Sequence, residues 1–488
     1  EEATQNYFKT RAKNYDKVES VFDDSEKHGI KNAMEEFYKS WDALSTTASL
    51  DSSRVTVAEK GRVYADRIKT AAAQLQDQIR SQYEDMRLSV TQINEYTTQI
   101  VALNKSILAA EATGAMANDL RDQRDLTVDK LSEYVNLSVE ENSNGMYSLV
   151  SNGISFVNGA SKLDFKMSDP VQNKRYGVND YSVEVADAKV TYIPANGSLR
   201  AQMDGIRENK QYMDELADMA GYMMTTFNQM HQQGAGIDAD STTWLNFFGK
   251  NKFKSPNGTT YDQMQYTWHV DPLTGERYMQ AAGASLTRTH AAGPPPTTTV
   301  STNVIGAPDR LQSMQIINEL KIADELTAPG GQNLVAARQI TNAGGTKVTP
   351  TLTNTSSTFT YNDSWVNGTA DGTIAVELSK LFNIDQAGTM NPRGTVRAVS
   401  DVSINQYYNS MMSKLGADAE NLDKTLKQQD DLMTQIEQWR QSTSGVDWNE
   451  ELTNMLKFQT GYGACSRMLT SMDEMLDRLI NSTGMVGR

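Results

Sequence analysis

Cysteine is almost absent: the 488 residues contain one, Cys465. A single thiol excludes an internal disulfide framework and any metal site built on a cysteine cluster. Histidine is nearly as scarce, with four residues, which leaves little material for imidazole chemistry. Basic charge is in deficit. Lys and Arg number 46 against 61 Asp and Glu, for a net charge of −15 and a pI near 4.9. Phosphate neutralisation needs a basic surface, so nucleic acid is not the main partner. No apolar run approaches the roughly 18 residues of a transmembrane helix, and the mean hydropathy is −0.55, so no membrane insertion is expected. Hydrophobic residues make up 38% and aromatics 8%, lean for a compact enzyme and usual for an elongated or helix-rich chain. At roughly 150 residues per domain the length corresponds to about three domains.

What is present is periodicity. Ile30, Met34, Phe37, Trp41 and Leu44 recur at steps of four and three, one apolar stripe of a helix. A loop from Ser45 to Ser53 follows. Beyond it Ile68, Ala72, Leu75, Ile79, Gln82, Met86, Ser89, Ile93, Tyr96, Ile100, Leu103, Ile107 and Ala110 keep the same alternation. That is a heptad seam over about six heptads, and residues 55–111 would form a rod of roughly 80 Å. Gly114 is placed to stop it, and Asn118 to cap a further helix with Asp119 in its first turn.

After Val135 the period becomes two. Asn144-Gly145 and Asn152-Gly153 sit between short alternating runs, a strong hairpin signal, in a β region reaching about Ile193. Helix returns over Leu199–His231, with Met203, Ile206, Tyr212, Leu216, Met219, Met223 and Phe227 on or near one face. Residues 236–400 are rich in Thr, Ser, Asn and Gly, with Asn-Gly turns at 257–258 and 367–368 and a break at Gly293-Pro294-Pro295-Pro296-Thr297. They read as short, solvent-facing strands with a helical piece at about 308–326. From Val402 the chain is helical again, on Ile404, Tyr408, Met411, Leu415, Leu422, Leu426, Met433 and Ile436. Ser444-Gly445 breaks it, and Asp447 to Glu450 resembles a capping box. Met455, Phe458, Tyr462, Cys465, Leu469, Met472, Leu476 and Leu479 then form a clean heptad seam.

The expected fold class is α+β multidomain: an elongated α-helical coiled-coil or bundle domain built from both chain ends, with mainly-β domains inserted between. Residues 1–135 would be the N-terminal half of the helical rod and 136–195 a β subdomain. Residues 196–235 would be a helix associated with the rod, and 236–400 the inserted, mainly-β outer domains. Residues 401–443 would be the C-terminal half of the rod, and 444–488 a terminal heptad helix for assembly. The natural partner of that last seam would be an N-terminal helix. Residues 1–20 already read as mid-helix with no apolar leader, so the chain reads as lacking both a Sec-type signal and that segment. The polar end, Gly484 to Arg488, reads as natural.

No constellation assembles an active site. His28, His231, His269 and His290 are scattered, with no metal-ligand spacing. Gly344-Gly345-Thr346-Lys347 and Gly249-Lys250-Asn251 fall short of a phosphate loop. Asp119, Asp122, Asp125 and Asp129 share a helix face, a spacing compatible with a bound cation. Interleaved Arg121, Arg124 and Lys130 make an ion-paired surface the stronger reading. Cys465 falls at a seam position and reads as an inert packed thiol. Catalytic, cofactor-binding and metal residues are therefore expected to be none, and the chain is not expected to be an enzyme.

Asn118-Asp119-Leu120-Arg121-Asp122-Gln123-Arg124-Asp125, followed by Leu131-Ser132, resembles a motif of the flagellar hook-associated protein 1 family. Residues 92–107 are similar to that family's preceding helix, and 198–235 to its segment ending Phe-Asn…His…Gly. In 444–480 Ser444-Gly445-Val446, Glu450-Glu451, Phe458-Gln459 and Tyr462 match a C-terminal signature shared by flagellar axial proteins. The recognisable motifs cover roughly 1–235 and 400–488, and 236–400 matches loosely. The resemblance implies a structural subunit of the bacterial flagellum that joins hook to filament. It implies export through the flagellar secretion channel, an extracellular location, and self-association in a ring or helical lattice. Implied partners are the hook protein, the second junction protein and an export chaperone at the C-terminal helix, where Met468, Met472 and Met475 lie. The alternatives are another axial protein, such as the second junction protein or a flagellin. Less favoured is a surface hydrolase or adhesin carried in 236–400, where Asp240, Asp262, Asp271 and Asp363 are dispersed.

Overall fold

The structure is a computed structural model that describes residues 1–22, 29–112, 114, 116–255, 258–293, 296–306, 308–348, 351–352, 356–383, 403–444 and 448–482. His28, Asn257, the Pro294-Pro295 part of the break, Gly445, the cap at Asp447 and the tail from Gly484 lie outside the described residues. The chain falls into two compact units, one of Glu2–Leu426 and one of 427–488 with Glu1.

The larger unit opens with helices α1 (Glu2–Val21), α2 (Ile30–Thr46), α3 (Asp51–Glu111) and α4 (Asn118–Ser132). In α2 the expected stripe of Ile30, Met34, Phe37, Trp41 and Leu44 is buried throughout. Helix α3 runs 61 residues, about 90 Å at 1.5 Å per residue. Its seam from Ile68 to Ile93 is buried at every expected position. Farther on the buried set becomes Thr97, Ile100, Asn104 and Ile107, while Tyr96 and Leu103 are half-buried and Ala110 is exposed. A straight α-helix drifts about 20° per heptad against a strict seven-residue repeat. Here α3 meets α2 and α5 over its first part and α4 and β-strands toward its end, so its buried face drifts with its partners.

Gly114 follows α3 with φ +87°, as its position predicts. Asn118 is not a cap: it is already helical, and Ala117 occupies the cap position with no side-chain bond to the helix. Instead Glu111 Oε1 accepts the Ala117 N–H at 3.0 Å. The close turn between α3 and α4 brings this carboxylate over the positive end of α4.

Strands β1 (Ser138–Glu141), β2 (Tyr147–Ser151), β3 (Ile154–Asn158) and β4 (Ser161–Lys162) form an antiparallel sheet in that order. Asn152 and Gly153 join β2 to β3 with φ of 50° and 82°, the left-handed pair a two-residue hairpin requires. Two further pairs follow: β5 (Phe165–Met167) with β8 (Val183–Val185), and β6 (Val171–Asn173) with β7 (Val178–Asp180).

The helix expected over Leu199–His231 is α5 (Ser198–Tyr222), a π-helical turn at Met223–Phe227, and α6 (Asn228–Gln232). Short β9 (Gly234–Ala235), β10 (Phe253–Lys254) and β11 (Thr260–Tyr261) lead to β12 (Gln263–Val270), β13 (Arg277–Ala291), β14 (Thr297–Val304) and β15 (Asp309–Leu311). Then come α7 (Ser313–Glu319), α8 (Asp324–Thr327), β16 (Arg338–Gln339), β17 (Thr351–Leu352), β18 (Ser356–Asn362) and α9 (Thr373–Lys380). The main sheet runs β12-β13-β14-β18-β17, with β15 also on β13. Two expectations are corrected here. The piece at 308–326 is a strand and two short helices, and the strands are not all short, since β13 spans 15 residues.

The length of β13 has a packing reason. Arg277–Ala284 pairs with β12, and Ala284–Ala291 pairs with β14. At the first end Met279 and Ala281 bury against the main core beside Met264 and Tyr266. At the other end the opposite face is covered, where Val300, Tyr361 and Leu286 join Trp244 and Ile340 in a second cluster. The last helix of this unit is α10 (Ile404–Ser444), with Ile404, Tyr408, Met411, Leu415 and Leu422 buried. In the smaller unit lie the rest of α10 and α11 (Trp448–Ser482).

Candidate assembly interface

Helix α11 carries Glu450 and Glu451 in its first turn, which suits the positive N-terminal end, and continues unbroken through Gly461 and Gly463. Its heptad seam is on the surface. Met455, Phe458, Tyr462, Leu469, Met472, Leu476 and Leu479 are all exposed, Phe458 by 78% and Tyr462 by 80%. Cys465 is exposed on the same stripe, which corrects its reading as a packed thiol: α11 alone supplies no facing surface. From Met455 to Leu479 the stripe is about 36 Å long. A continuous exposed apolar face of this size is a candidate docking surface. Exposed Met468 and Met475 flank it.

The motif on α4 holds the structure together from within. Arg124 is fully buried. Its guanidinium lies 3.4 Å from the Tyr147 ring centroid, and Nη1 donates to Gly145 O at 2.7 Å and Asn104 Oδ1 at 3.1 Å. Asn104 in turn donates to the carbonyls of Tyr147 and Gly159 and accepts the Tyr147 N–H. The turn between β1 and β2 is thus pinned to both helices. Arg121 forks onto Glu111 at 2.7 and 2.8 Å and reaches Glu141 at 2.7 Å. The Arg121 bonds, then the Ala117 N–H, hold the Glu111 carboxyl down at about 2. Asn118, Asp119, Asp122 and Gln123 are exposed, while Leu120 and Asp125 are half-buried. Among the described residues no group of three or more His, Cys, Asp or Glu is arranged to hold a metal ion.

The segment around Phe227 is a second internal anchor, and its roles were not legible beforehand. Asn228, 1% exposed, donates to Met224 O and Phe248 O and accepts the N–H groups of Phe247 and Phe248, all at 2.8–2.9 Å. Every hydrogen-bonding position of its amide is used, which fixes the loop entering the main sheet against the helix. Phe227 packs with Phe37, Trp41, Phe247 and Phe248. His231 is buried, with Nδ1 on Leu245 O at 2.7 Å and the Ala336 N–H donating to Nε2 at 3.0 Å. These partners define the neutral Nδ1–H tautomer.

Burial first, and Arg54 nearby, push the His231 pKa down to about 4 from its usual 6.5. Its contribution to stability is therefore complete above pH 6.5 and is lost as pH falls toward 4, because the unfolded chain takes up the proton first. The full difference is about 3 kcal/mol at 1.36 kcal/mol per pH unit. Urea unfolding of the larger unit at pH 7.5 and pH 4.5 should show this loss. His231→Gln, which keeps a donor and an acceptor, should lose about 2 kcal/mol less between those pH values.

The remaining candidates carry ordinary structural bonds. Lys347 of the Gly344-Gly345 turn pairs with Glu377, and Lys250 pairs with Glu319 at 2.8 Å. His269 bonds Thr267, and His290 bonds Thr298. Asp262 accepts the Leu286 N–H, Asp271 binds Arg310, and Asp363 accepts from Thr298.

Comparison with known proteins agrees along the chain. Residues 15–248 match the flagellar hook-associated protein FlgK helical domain, and 437–482 match the flagellar basal body rod FlgEFG protein C-terminal family. Flagellar hook-associated protein 1 of Bacillus subtilis (strain 168) is 24% identical over 99% of this chain and 82% of its own length. That of Escherichia coli (strain K12) is 24% identical over 93% of this chain and 80% of its own. The fold resembles that of the flagellar hook junction protein FlgK from Burkholderia pseudomallei, with a TM-score of 0.60 and 17% identity, covering 90% of this chain and 99% of that one. With a helical region, a rod-type C-terminal segment and near full-length similarity all pointing the same way, the chain is similar to the flagellar hook-associated protein 1 family along nearly its whole length.

Proposed function

We propose that this protein is a structural subunit of the bacterial flagellum at the junction between hook and filament, and that it assembles through the apolar face of α11. The observation that carries the assembly site is the exposure of the whole heptad stripe from Met455 to Leu479. A family of structural flagellar subunits also favours a role without catalysis. In this reading the stripe packs in the axial part of a ring or helical lattice of identical subunits. The hook protein lies on one side of that layer and the second junction protein on the other. The domain organisation follows the same reading, with helical parts from both chain ends inside and the sheet region of 236–400 outside. Export through the flagellar secretion channel fits the near-absence of cysteine, and an export chaperone would cover the α11 stripe, with Met468 and Met475 beside it, before assembly. The test is co-assembly with purified hook and filament proteins, followed by electron microscopy. Hook ends carrying this protein and accepting filament are expected, and bare hooks at saturating protein would refute the reading.

A further inference from the structure

Asp214 and Asp218 stand one turn apart on α5 yet are provided for very differently. Asp214 accepts four bonds: Arg175 Nε at 3.1 Å, Arg175 Nη2 at 2.9 Å, Tyr176 OH at 3.0 Å and Ser313 Oγ at 2.5 Å. Asp218 receives two, from Arg277 Nη1 at 2.8 Å and Tyr407 OH at 3.3 Å. An ionised carboxylate has about four acceptor positions, and the Asp218 side chain is only 11% exposed. Arg277 and Tyr407 both donate to it and favour the ion, but acceptor positions are left unfilled, a shortfall that the neutral acid does not carry.

The location gives this consequence. Arg277 opens β13, and its guanidinium lies 4.3 Å from the centroid of Trp268 on β12. Trp268 occupies the space over Gly221, where a Cβ would come within 2.1 Å of its ring. Tyr407 lies in the first turn of α10. One under-supplied carboxyl group therefore sits where the turn end of the β12–β13 hairpin and the start of α10 both close on α5.

We propose that Asp218 is a proton-operated latch: in its neutral form it lets the turn end of the hairpin and α10 close on α5, and on ionisation it draws in water and loosens that end. The electrostatics agree. Burial pushes its pKa up to about 7, with Arg277 opposing, Asp214 adding to the rise and Tyr407 reducing it. The groups facing it are Arg277 from the hairpin, Tyr407 from α10 and Asp214 from α5. Arg175 and Tyr176 are held at Asp214, and Arg175 also pairs with Glu276 at 3.3 Å. A carboxyl group whose pKa is raised by closure favours closure fully below its ordinary pKa, and that contribution is lost as pH rises through the raised value.

Amide hydrogen exchange of the intact chain, corrected for intrinsic rates, tests the latch. Protection at residues 268–270 and 277–279 should fall about fiftyfold from pH 5 to pH 7, within the tenfold per pH unit that one linked proton allows between the ordinary and the raised pKa. Protection across the β14–β18 pairing should stay level. Asp218→Asn, a neutral mimic, should hold the low-pH protection at both values. Tyr407→Phe removes a donor that favours the ion, so it should move the step to higher pH. Flat protection in the wild type, or a step that persists in Asp218→Asn, would overturn the proposal. An unmoved step in Tyr407→Phe would refute the part played by α10.

Discussion

Aspartate at both Phe458 and Leu469 abolishes incorporation into the hook–filament junction and leaves the unfolding of the larger unit where it was. Both side chains are exposed in the free chain, so the double substitution costs that unit within about 0.5 kcal/mol. On the proposed assembly through α11 the same positions become buried, and two unpaired carboxylates there would cost several kcal/mol each, enough to reduce assembly by more than about a thousandfold. Sedimentation with hook fragments measures the first effect, and urea unfolding measures the second. Thr453→Asp, off the stripe on the same helix, is the control and should co-sediment normally. Normal co-sedimentation of the double variant would remove α11 from the assembly surface.

Asn228→Ala produces the largest loss of stability expected from one substitution in the larger unit. The alanine leaves the Phe247 and Phe248 N–H groups and the Phe248 carbonyl without their side-chain partner in a buried aromatic core. At about 1–3 kcal/mol for each of these three unsatisfied buried groups, the loss is at least about 3 kcal/mol. Urea unfolding followed by tryptophan fluorescence reads it directly. The position also follows a π-helical turn, which rotates Asn228 away from where a regular α-helix would present it. A loss below about 1 kcal/mol would show that water replaces the amide without strain.

The π-turn illustrates why some of the architecture was legible and some was not. Apolar spacing located α2, most of α3, α10 and α11, because a helix repeats its buried face at short, fixed intervals. Asn152-Gly153 located a hairpin turn, because few residue types accept two successive left-handed conformations. Those features are local. In contrast, β13 buries one face near Met279 and is covered on the other near Arg288, so no alternation runs its full length. The partners that switch its buried face are separated from it in the chain.

The motif residues show the same division. Arg124 stood in a recognisable motif and its interleaved acids suggested a charged surface, yet its guanidinium is buried on Tyr147. Only the folded hairpin supplies that ring and the Gly145 carbonyl. Likewise Asn104 is buried just beside the apolar seam, and the residues that take up its amide bonds lie more than 40 residues on.

The scarcity of cysteine and of basic charge, together with the heptad face of α11, were properties of the sequence by itself. They followed from composition and short-range spacing, which do not depend on what surrounds the chain. Whether a seam is filled was decided by the tertiary structure alone. The same spacing is buried along α3, where α2 and α5 cover it, and exposed along α11. Burial depends on which distant surface arrives, and the helical period says only that one is needed.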